Sequence, residues 1–539
     1  MFGRRLSRLL FVPVLLICLV MGTVPGAVAR ADVSPSIMIT SPTAGAVIAG
    51  DTVIVTGTVV GADRLQLMVG PERLVPITTD PSSTTWSVEV TLTDLSGPLE
   101  LAVRGRDAAT FASMWSPFVA ITIDRPSVRP GVVITSPTDG ATIRRAVQAE
   151  LTVTDAPAGT LVQARLNGGA WRRAVAVPGQ PDQFRVTLGG AWSGHAAVEA
   201  RAIRPDGATG VAATRYVQRP GAAVPAPTPY VQDRALWVWE PAAYAAVLDP
   251  AARDLLGRTL DDTTTFDSDP ITTIYLGVGR YAGSDLTTDH RTQLAEFVRW
   301  ARARGYHVQA TVAGGTQPPA LGALPQYQHL AIAEFDKVLT YNLAVAPEER
   351  FDGINVDVEP YLLPQWKETA TQLPQQYLDL LQTLVQRRDD SGQPVLVGPA
   401  IPRWFDSSTC CASITWHGST KPLSDHVQDL TDYIAIMDYR DTADGSAGII
   451  AQAEHELAYA NALGKPLSVV LGVETKDLTG TGDPETVTFW EEGRTHLELE
   501  LDKVYAAFGQ DPAFAGIALH HYESLRALPS SWDDPIFYP

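Results

Sequence analysis

From residue 233 onward the chain alternates two hydrophobic periods. Short, nearly continuous apolar runs recur at residues 235–239, 271–277, 307–312, 353–359, 395–400, 433–437, 467–472 and 516–520. Longer stretches with apolar residues at helical spacing lie between them, at 291–304, 327–342, 375–388, 449–463 and 494–508. A strand buried on both faces reads as a continuous apolar run, whereas an amphipathic helix repeats every 3.6 residues. Eight such units in about 300 residues predict a (β/α)8 TIM barrel over 233–539. A doubly wound open sheet is the competing arrangement, but no glycine-rich phosphate loop follows any of the eight runs.

The pattern before residue 219 has period two. The segment Ile37-Met-Ile-Thr-Ser-Pro-Thr-Ala-Gly45 returns 95 residues later as Val132-Val-Ile-Thr-Ser-Pro-Thr-Asp-Gly140. Each copy is followed by alternating apolar and polar positions (52–59, 149–154), then by a strand-like run led by Trp86 or Phe184. Short alternating runs separated by Gly, Pro and Asp predict β-sandwiches, here 36–125 and 130–218. These segments resemble bacterial immunoglobulin-like domains. A Pro/Ala-rich stretch, 219–232, reads as a semi-rigid linker. The predicted fold is therefore multidomain: two all-β immunoglobulin-like sandwiches followed by an α/β barrel. As spacers, the sandwiches would be dispensable, and deleting 32–218 should leave barrel chemistry intact. Trp115, Trp171 and Trp192 are their candidate carbohydrate platform, set against ordinary core packing.

The first residues change the picture of where the chain works. Arg4, Arg5 and Arg8 precede an apolar run at 9–20, and Ala29-Arg-Ala31 supplies a small-residue cleavage pattern. This reads as a secretory signal over 1–31, hence an exported protein. Ile17 before Cys18 argues against a lipid anchor, and no other long apolar run predicts a membrane anchor. The whole chain carries a net charge of −19. Removal of 1–31 takes four arginines and no acid, leaving 37 basic against 60 acidic residues, a net −23. Nucleic acid is excluded as a partner on this balance, and a neutral or cationic substrate fits better. After cleavage only the neighbours Cys410 and Cys411 remain, as a vicinal disulfide or as two thiols. Neither zinc nor another cofactor is expected: further cysteines are absent, and adjacent His520 and His521 would face opposite sides of a strand. Oligomeric state is left open.

The run Gly353-Ile-Asn-Val-Asp-Val-Glu359, closed by Pro360, carries the chemistry. Alternation sends Ile354, Val356 and Val358 toward the helices, and Asn355, Asp357 and Glu359 into the barrel. Polar groups on a buried inner face are costly, and the carboxyl end of a barrel strand is where active sites lie. Two adjacent carboxylates repel, so one pKa should rise, as suits a proton donor to a glycosidic oxygen.

These residues resemble the strand-four signature of glycoside hydrolase family 18, the chitinase-like enzymes, D-x-x-D-x-D-x-E. Here it reads Asp352-Gly-Ile-Asn355-Val-Asp357-Val-Glu359. The family's strand-three Gly-Gly has a counterpart in Gly314-Gly315, and its Met-x-Tyr in Met437-Asp438-Tyr439, with Asp441 one residue late. The resemblance covers the barrel only. It implies Glu359 as general acid and then base, Asp357 as the group orienting a substrate N-acetyl arm that itself attacks the anomeric carbon, and Tyr439 as hydrogen-bonding that arm. Asn355 stands where the family has Asp, which removes the inner partner of Asp357.

A second reading needs no N-acetyl group. Glu474 closes the seventh strand, and a two-glutamate retaining enzyme would use Glu359 as acid/base and Glu474 as nucleophile. Glu474 could instead hold a hydroxyl or pair with Arg403 or Arg440. Further groups expected at the mouth are Trp239 and Glu240 after strand one, Arg403 and Trp404 after strand five, Asp438, Arg440 and Asp441 after strand six, and His521 and Tyr522 after strand eight. Trp239, Trp404 and Tyr522 are candidate stacking surfaces for sugar rings, and the others, with Asn355, candidate polar contacts. The expected partner is a carbohydrate, either cleaved or, in the rival reading, only bound.

Overall fold

The computed structural model describes residues 35–528 apart from 81–82, 111, 191, 266–267 and 368–371. The expected signal segment 1–31 therefore lies outside the described residues. Eight parallel strands close into a barrel: β1 (Ala235–Val238), β2 (Thr273–Gly277), β3 (His307–Val312), β4 (Gly353–Val356), β5 (Leu396–Pro402), β6 (Ile434–Met437), β7 (Val469–Glu474) and β8 (Phe514–His520). Ala235 pairs with Ala518 and closes the ring. Helices α1 (Ala242–Leu248) and α2 (Pro250–Asp261) follow β1, and α3 (Arg291–Ala303) follows β2. Then come α4 (Gln328–Ala344), α5 (Leu373–Ser391), α6 (Leu423–Leu430), α7 (Ile449–Leu463), α8 (Gly493–Phe508) and the short α9 (Tyr522–Ala527). Among the described residues no helix is long and apolar enough to cross a membrane.

Strand alternation produces two cores. Ile354, Val356 and Val358 join the apolar layer between strands and helices. Trp237, Tyr275, Ala400 and Tyr433 fill the barrel interior. That interior also holds a polar floor. Trp237 Nε1 donates to Asn355 Oδ1 at 3.0 Å, and Asn355 Nδ2 donates to the Gly398 carbonyl and to Tyr433 Oη, both at 3.2 Å. Tyr433 passes on to Gln309 at 2.7 Å, and Gln309 to Gln232 at 2.8 Å. Tyr275 also donates to Gln232, at 2.6 Å. An indole N–H is a donor only, so Trp237 needs an acceptor, while the Gly398 carbonyl needs a donor. An amide meets both needs; an ionised carboxylate would leave one lone pair facing another. This is the physical content of Asn355 in place of Asp.

Each half of the N-terminal repeat folds into two packed sheets. In the first, Ser36–Ser41, Thr52–Val60 and Thr85–Thr91 face a six-stranded sheet centred on Gly97–Asp107. In the second, Gly131–Ser136, Val147–Thr154, Gln180–Leu188 and Val175–Val177 face a sheet centred on His195–Ile203. The repeated Ile-Thr-Ser motif makes the same register shift in both, between Ile39 and Ser41 and between Ile134 and Ser136. Trp86 fills the first core. The three other tryptophans build no common platform. Trp171 packs against the Arg165 and Arg201 guanidiniums (4.3 and 4.1 Å), Trp192 lies under Arg219 (3.8 Å), and Trp115 Nε1 donates to the Leu362 carbonyl.

The sandwiches are not free spacers. Met68 and Ala102 of the first, and Ala197 and Tyr216 of the second, are buried in the same apolar cluster as the barrel's helix layer. The first also meets the barrel through Glu100, which accepts from Tyr327 Oη at 2.6 Å, and Pro71, whose carbonyl accepts from Gln317 N at 2.6 Å. The second meets it through a buried ion pair: Asp336 of α4 accepts from Tyr216 Oη at 3.0 Å and from Arg387 of α5 at 3.0 and 2.7 Å. Arg387 also reaches Asp139 at 2.9 Å and the Thr214 carbonyl at 2.8 Å. Deleting 32–218 would strip an apolar surface from the barrel and leave Asp336 short of a donor, so the expectation of a dispensable N-terminal half does not survive.

Removing one partner of a buried pair leaves the other charge uncompensated. Asp336→Ala should lower unfolding free energy by about 3–5 kcal/mol in urea titration of the full chain. A loss near zero would mean that Arg387 is held by Asp139 and the Thr214 carbonyl alone.

Candidate active site at the mouth of the barrel

Pro360 ends β4 earlier than its alternation predicts. Pro360–Leu362 forms a tight helical turn, and the regular strand stops at Val356. Asp357 N still donates to the Val312 carbonyl at 2.8 Å, so the inward placement of Asp357 and Glu359 is kept. Both line a cavity of about 160 Å³ with Trp237, Trp239, Ala400, Met437, Tyr439 and His520. That is less than the several hundred Å³ of a typical whole-ligand pocket, and it suits one ring of a longer ligand.

The electrostatics follow from depth. Burial pushes the Asp357 carboxyl well above the ordinary range, and the Glu359 charge pushes it further. Glu359 is also raised by burial, with the hydrogen bond from Tyr361 acting in the opposite direction. Two interacting acids titrate as a pair, so a proton shared between them is retained to higher pH than either acid would hold alone. Among the described residues Asp357's carboxyl and Tyr439's hydroxyl make no hydrogen bond to protein. Burial and the nearby Glu474, Asp357 and Glu359 carboxylates raise Tyr439, which keeps it a donor.

Opposite this pair is His520, which the sequence placed at the end of strand eight without giving it a role. Its Nδ1 lies 2.9–3.0 Å from both Glu474 oxygens, and Trp239 Nε1 lies 3.1 Å from its Nε2. Because an indole can only donate, Nε2 accepts and Nδ1 carries the proton to Glu474. Glu474 also accepts from the backbone N–H of Thr475 and Lys476, each at 2.9 Å. Oε1 thus takes both backbone N–H groups and shares the imidazole N–H with Oε2, and the carboxylate is buried and does not line the cavity. Tyr439 leans on the His520 ring at 5.9 Å.

The remaining expected residues separate. Trp239 is in the cavity wall. Asn355 is fully buried in the floor below and does not face the cavity. Glu240 turns toward β2: a Cβ on Gly277 would sit 2.9 Å from its Oε1, so glycine is what admits the carboxyl there, and burial raises its pKa. Trp404 stands one layer back, edge-on to Tyr361 at 5.3 Å, and so braces the ring that bonds Glu359. Arg403 donates to Gln452, and Arg440 donates to the Ala447 and Tyr439 carbonyls at 2.9 Å. Asp438 is buried between these two arginines' fields with neither oxygen hydrogen-bonded to a described residue. Asp441 is buried too, its carbonyl accepting from His496 at 3.0 Å. His521 is turned away from the cavity, pushed down to about 4 mainly by burial. Tyr522 opens α9 and packs in the helix layer. A stacking role for Tyr522 and cavity contacts for His521, Arg403, Arg440, Asp438 and Asp441 do not match these positions: strand parity assigned a side, but the loops turned the chain after the strand ended.

Tyr361 and Ala400 are the groups that sequence reasoning left out, while Trp237, Met437 and His520 were placed on strands one, six and eight without a role. Tyr361 had a readable signal, its position two residues after Glu359 with proline between. Behind β3, Gly314 and Gly315 have φ of +86° and +63°. A Cβ on Gly315 would lie 2.6 Å from the Leu330 carbonyl, and its N–H donates to Glu334 at 2.8 Å, so this pair shapes the loop beside Val358. Cys410 and Cys411 are free thiols. Among the described residues no cluster of three His, Cys, Asp or Glu side chains is arranged to hold a metal ion.

No family model matches the chain, and no curated protein matches it in sequence. Solved structures are similar in fold at low identity. The multi-modular cell-surface chitinase ChiW of Paenibacillus sp. str. FPU-7 matches over 74% of this chain and 39% of its own, at 13% identity and a TM-score of 0.33. The chain thus spans well under half of that enzyme. A GH18 chitinase from Cycas revoluta matches over 54% of this chain and 95% of its own, at 13% identity and a TM-score of 0.34. The fibronectin(III)-like modules of Clostridium thermocellum CbhA match over 34% and 93%, at 17% identity and a TM-score of 0.14.

The raised carboxyls predict a pH-dependent stability. A carboxyl whose folded pKa is raised binds its proton more tightly in the folded state, so its contribution is complete below the unfolded value of about 4 and is lost as pH rises through the folded value. Asp357→Asn should therefore raise the urea midpoint at neutral pH, with the gain shrinking on acidification toward pH 3. Midpoints that run parallel from pH 3 to 8 would show that burial does not perturb this pair.

Proposed function

We propose that the barrel is a glycoside hydrolase that cleaves an oligo- or polysaccharide at an N-acetylhexosamine unit held in the cavity. The observation that carries this reading is the arrangement at the mouth: Glu359 beside a partnerless Asp357 carboxyl, with the free Tyr439 hydroxyl in the same small cavity. Glu359, whose hold on a proton burial strengthens, gives its proton to the leaving oxygen as the glycosidic bond breaks. The substrate's own carbonyl oxygen closes on the anomeric carbon, with Asp357 accepting from the amide N–H and Tyr439 donating to the carbonyl. Water then opens the ring intermediate, and Glu359 takes the water's proton back. Trp237 and Trp239 give the sugar an apolar face to rest on, and the 1–31 pattern supports an exported enzyme.

The two-glutamate alternative is weakened by one observation. A nucleophile must face the anomeric carbon, and Glu474 instead spends its oxygens on His520 and two backbone N–H groups. Its place in this reading is to hold the His520 tautomer, and with it Trp239.

Glu359→Gln should cut turnover about 10²–10⁴-fold on N-acetylhexosamine oligomers, with binding kept, measured by reducing-end release. A thiazoline mimic of the cyclised N-acetyl group should inhibit the native enzyme competitively. A covalent sugar trapped on Glu474 would overturn the substrate-assisted step. Tight oligosaccharide binding by the native protein, with no reducing ends released from any glycan, would make it a binding barrel instead.

A further inference from the structure

The second sandwich carries a charge opposite to the rest of the chain. Residues 130–218 hold nine arginines against six acidic residues, a net +3, whereas residues 36–125 hold five against nine, a net −4. Part of that excess is committed inside the domain: Arg165 pairs with Glu199, Arg215 with Asp139 and Arg204 with Asp206, while Arg201 donates to Gln163. Arg172, Arg173 and Arg185 are different. All three side chains are exposed, and among the described residues none of these guanidiniums makes a hydrogen bond or ion pair.

These three converge on one groove. The chain crosses from one sheet to the other between Arg172–Arg173 and Val175–Val177, and the crossing packs beside the strand Gln180–Leu188. A groove of about 660 Å³ runs there, lined by Arg172, Arg173, Val175, Arg185, Gln148 and Thr187, with Val186 beneath. Gln148 Oε1 accepts from Thr187 Oγ1 at 2.8 Å, which turns the amide so that its Nε2 is free to donate. Val175 is 65% exposed. The one acid in register with the groove is Glu150, directly across from Arg185, and it forms no ion pair with it. Like charges held together at an unneutralised surface cost free energy unless a counter-charge arrives, and guanidinium forks match carboxylate and phosphate oxygens in pairs.

We propose that this groove binds an anionic polysaccharide, its carboxylate or phosphate groups taken by Arg172, Arg173 and Arg185 and its hydroxyls by Gln148 and Thr187. The site is separate from the barrel cavity and does not depend on what the barrel cleaves. Sparse charge is the reason for a glycan over nucleic acid. Duplex DNA carries a negative charge about every 1.7 Å, and the chain's net −19 repels such a polymer outside this one patch. A glycan with one charge per sugar can meet the three arginines locally, and Val175, the Gln148 Nε2 donor and the Thr187 Oγ1 acceptor suit the sugar between charges.

The test uses the full chain in affinity electrophoresis and calorimetry with polygalacturonate, a phosphodiester-linked glycan, an uncharged glucan and single-stranded DNA. One or both acidic glycans should bind, the better of them naming the anion, with affinity falling as salt rises. R172Q/R173Q/R185Q should weaken that binding about tenfold or more. R144Q/R145Q, exposed on the same domain outside the groove, should not. R172K/R173K/R185K should recover part of the loss, which separates charge from folding, and reducing-end release by the barrel should be unchanged in every variant. No binding of either acidic glycan, equal losses in the control, or tighter binding of DNA than of glycan would overturn the proposal.

Discussion

Everything at the mouth rests on the polar floor inside the barrel. The interior of a closed parallel barrel is packed with side chains, so an inward polar group is costly to bury unless it finds a partner there. Trp237, Asn355, Tyr433, Gln309, Gln232 and Tyr275 do this in one connected chain of 2.6–3.2 Å hydrogen bonds, with Gln232 Nε2 left without a partner among the described residues. This connected set fixes the side chains on which Asp357 and Glu359 stand one layer higher. It also lets those two carboxyls remain imperfectly satisfied, which is the condition for their raised pKa values. A floor of loosely held groups would allow the acids to turn inward and find partners, and the cavity would lose its two raised carboxyls.

The same logic explains why His520 rather than Glu474 faces the cavity. Glu474 ends β7 and His520 ends β8, and the register pairs them directly. A carboxylate at that position has two backbone N–H groups and an imidazole within reach, so its charge is spent on order. The imidazole, held in one tautomer, then takes the Trp239 indole as its second partner. Charge is used on one side of the mouth to fix geometry, and left unsatisfied on the other, where the proposed reaction would move a proton.

The N-terminal half is tied into this frame instead of hanging from it. Trp115 of the first sandwich donates to Leu362, at the end of the turn that carries Tyr361, and Asp336 links Tyr216 to α5. The linker's last residues, Tyr230 and Gln232, belong to the barrel: Tyr230 stacks on His307 at 3.8 Å and accepts from Gln309. A segment whose composition reads as spacer thus ends as part of a core, because its final side chains are the ones that meet the open end of the strands.

Sequence alone determined the elements and their faces. The repeat at Ile37 and Val132, the eight apolar runs and the parity of Asn355, Asp357 and Glu359 are periodic signals, local to a few residues, and each is realised in the fold. What the sequence could not contain was where the loops turn. Glu240, Arg403, Arg440, Asp441, His521 and Tyr522 follow strand ends just as Trp239 does, yet only Trp239 reaches the cavity. That difference is set by backbone direction after the last ladder hydrogen bond, which depends on contacts from distant elements: glycine at 277 making room for Glu240, Gln452 receiving Arg403, and α9 drawing Tyr522 into the helix layer. Pairing is likewise a tertiary fact. Along the chain nothing links Glu474 to His520, and only the approach of β7 to β8 brings the imidazole to the carboxylate.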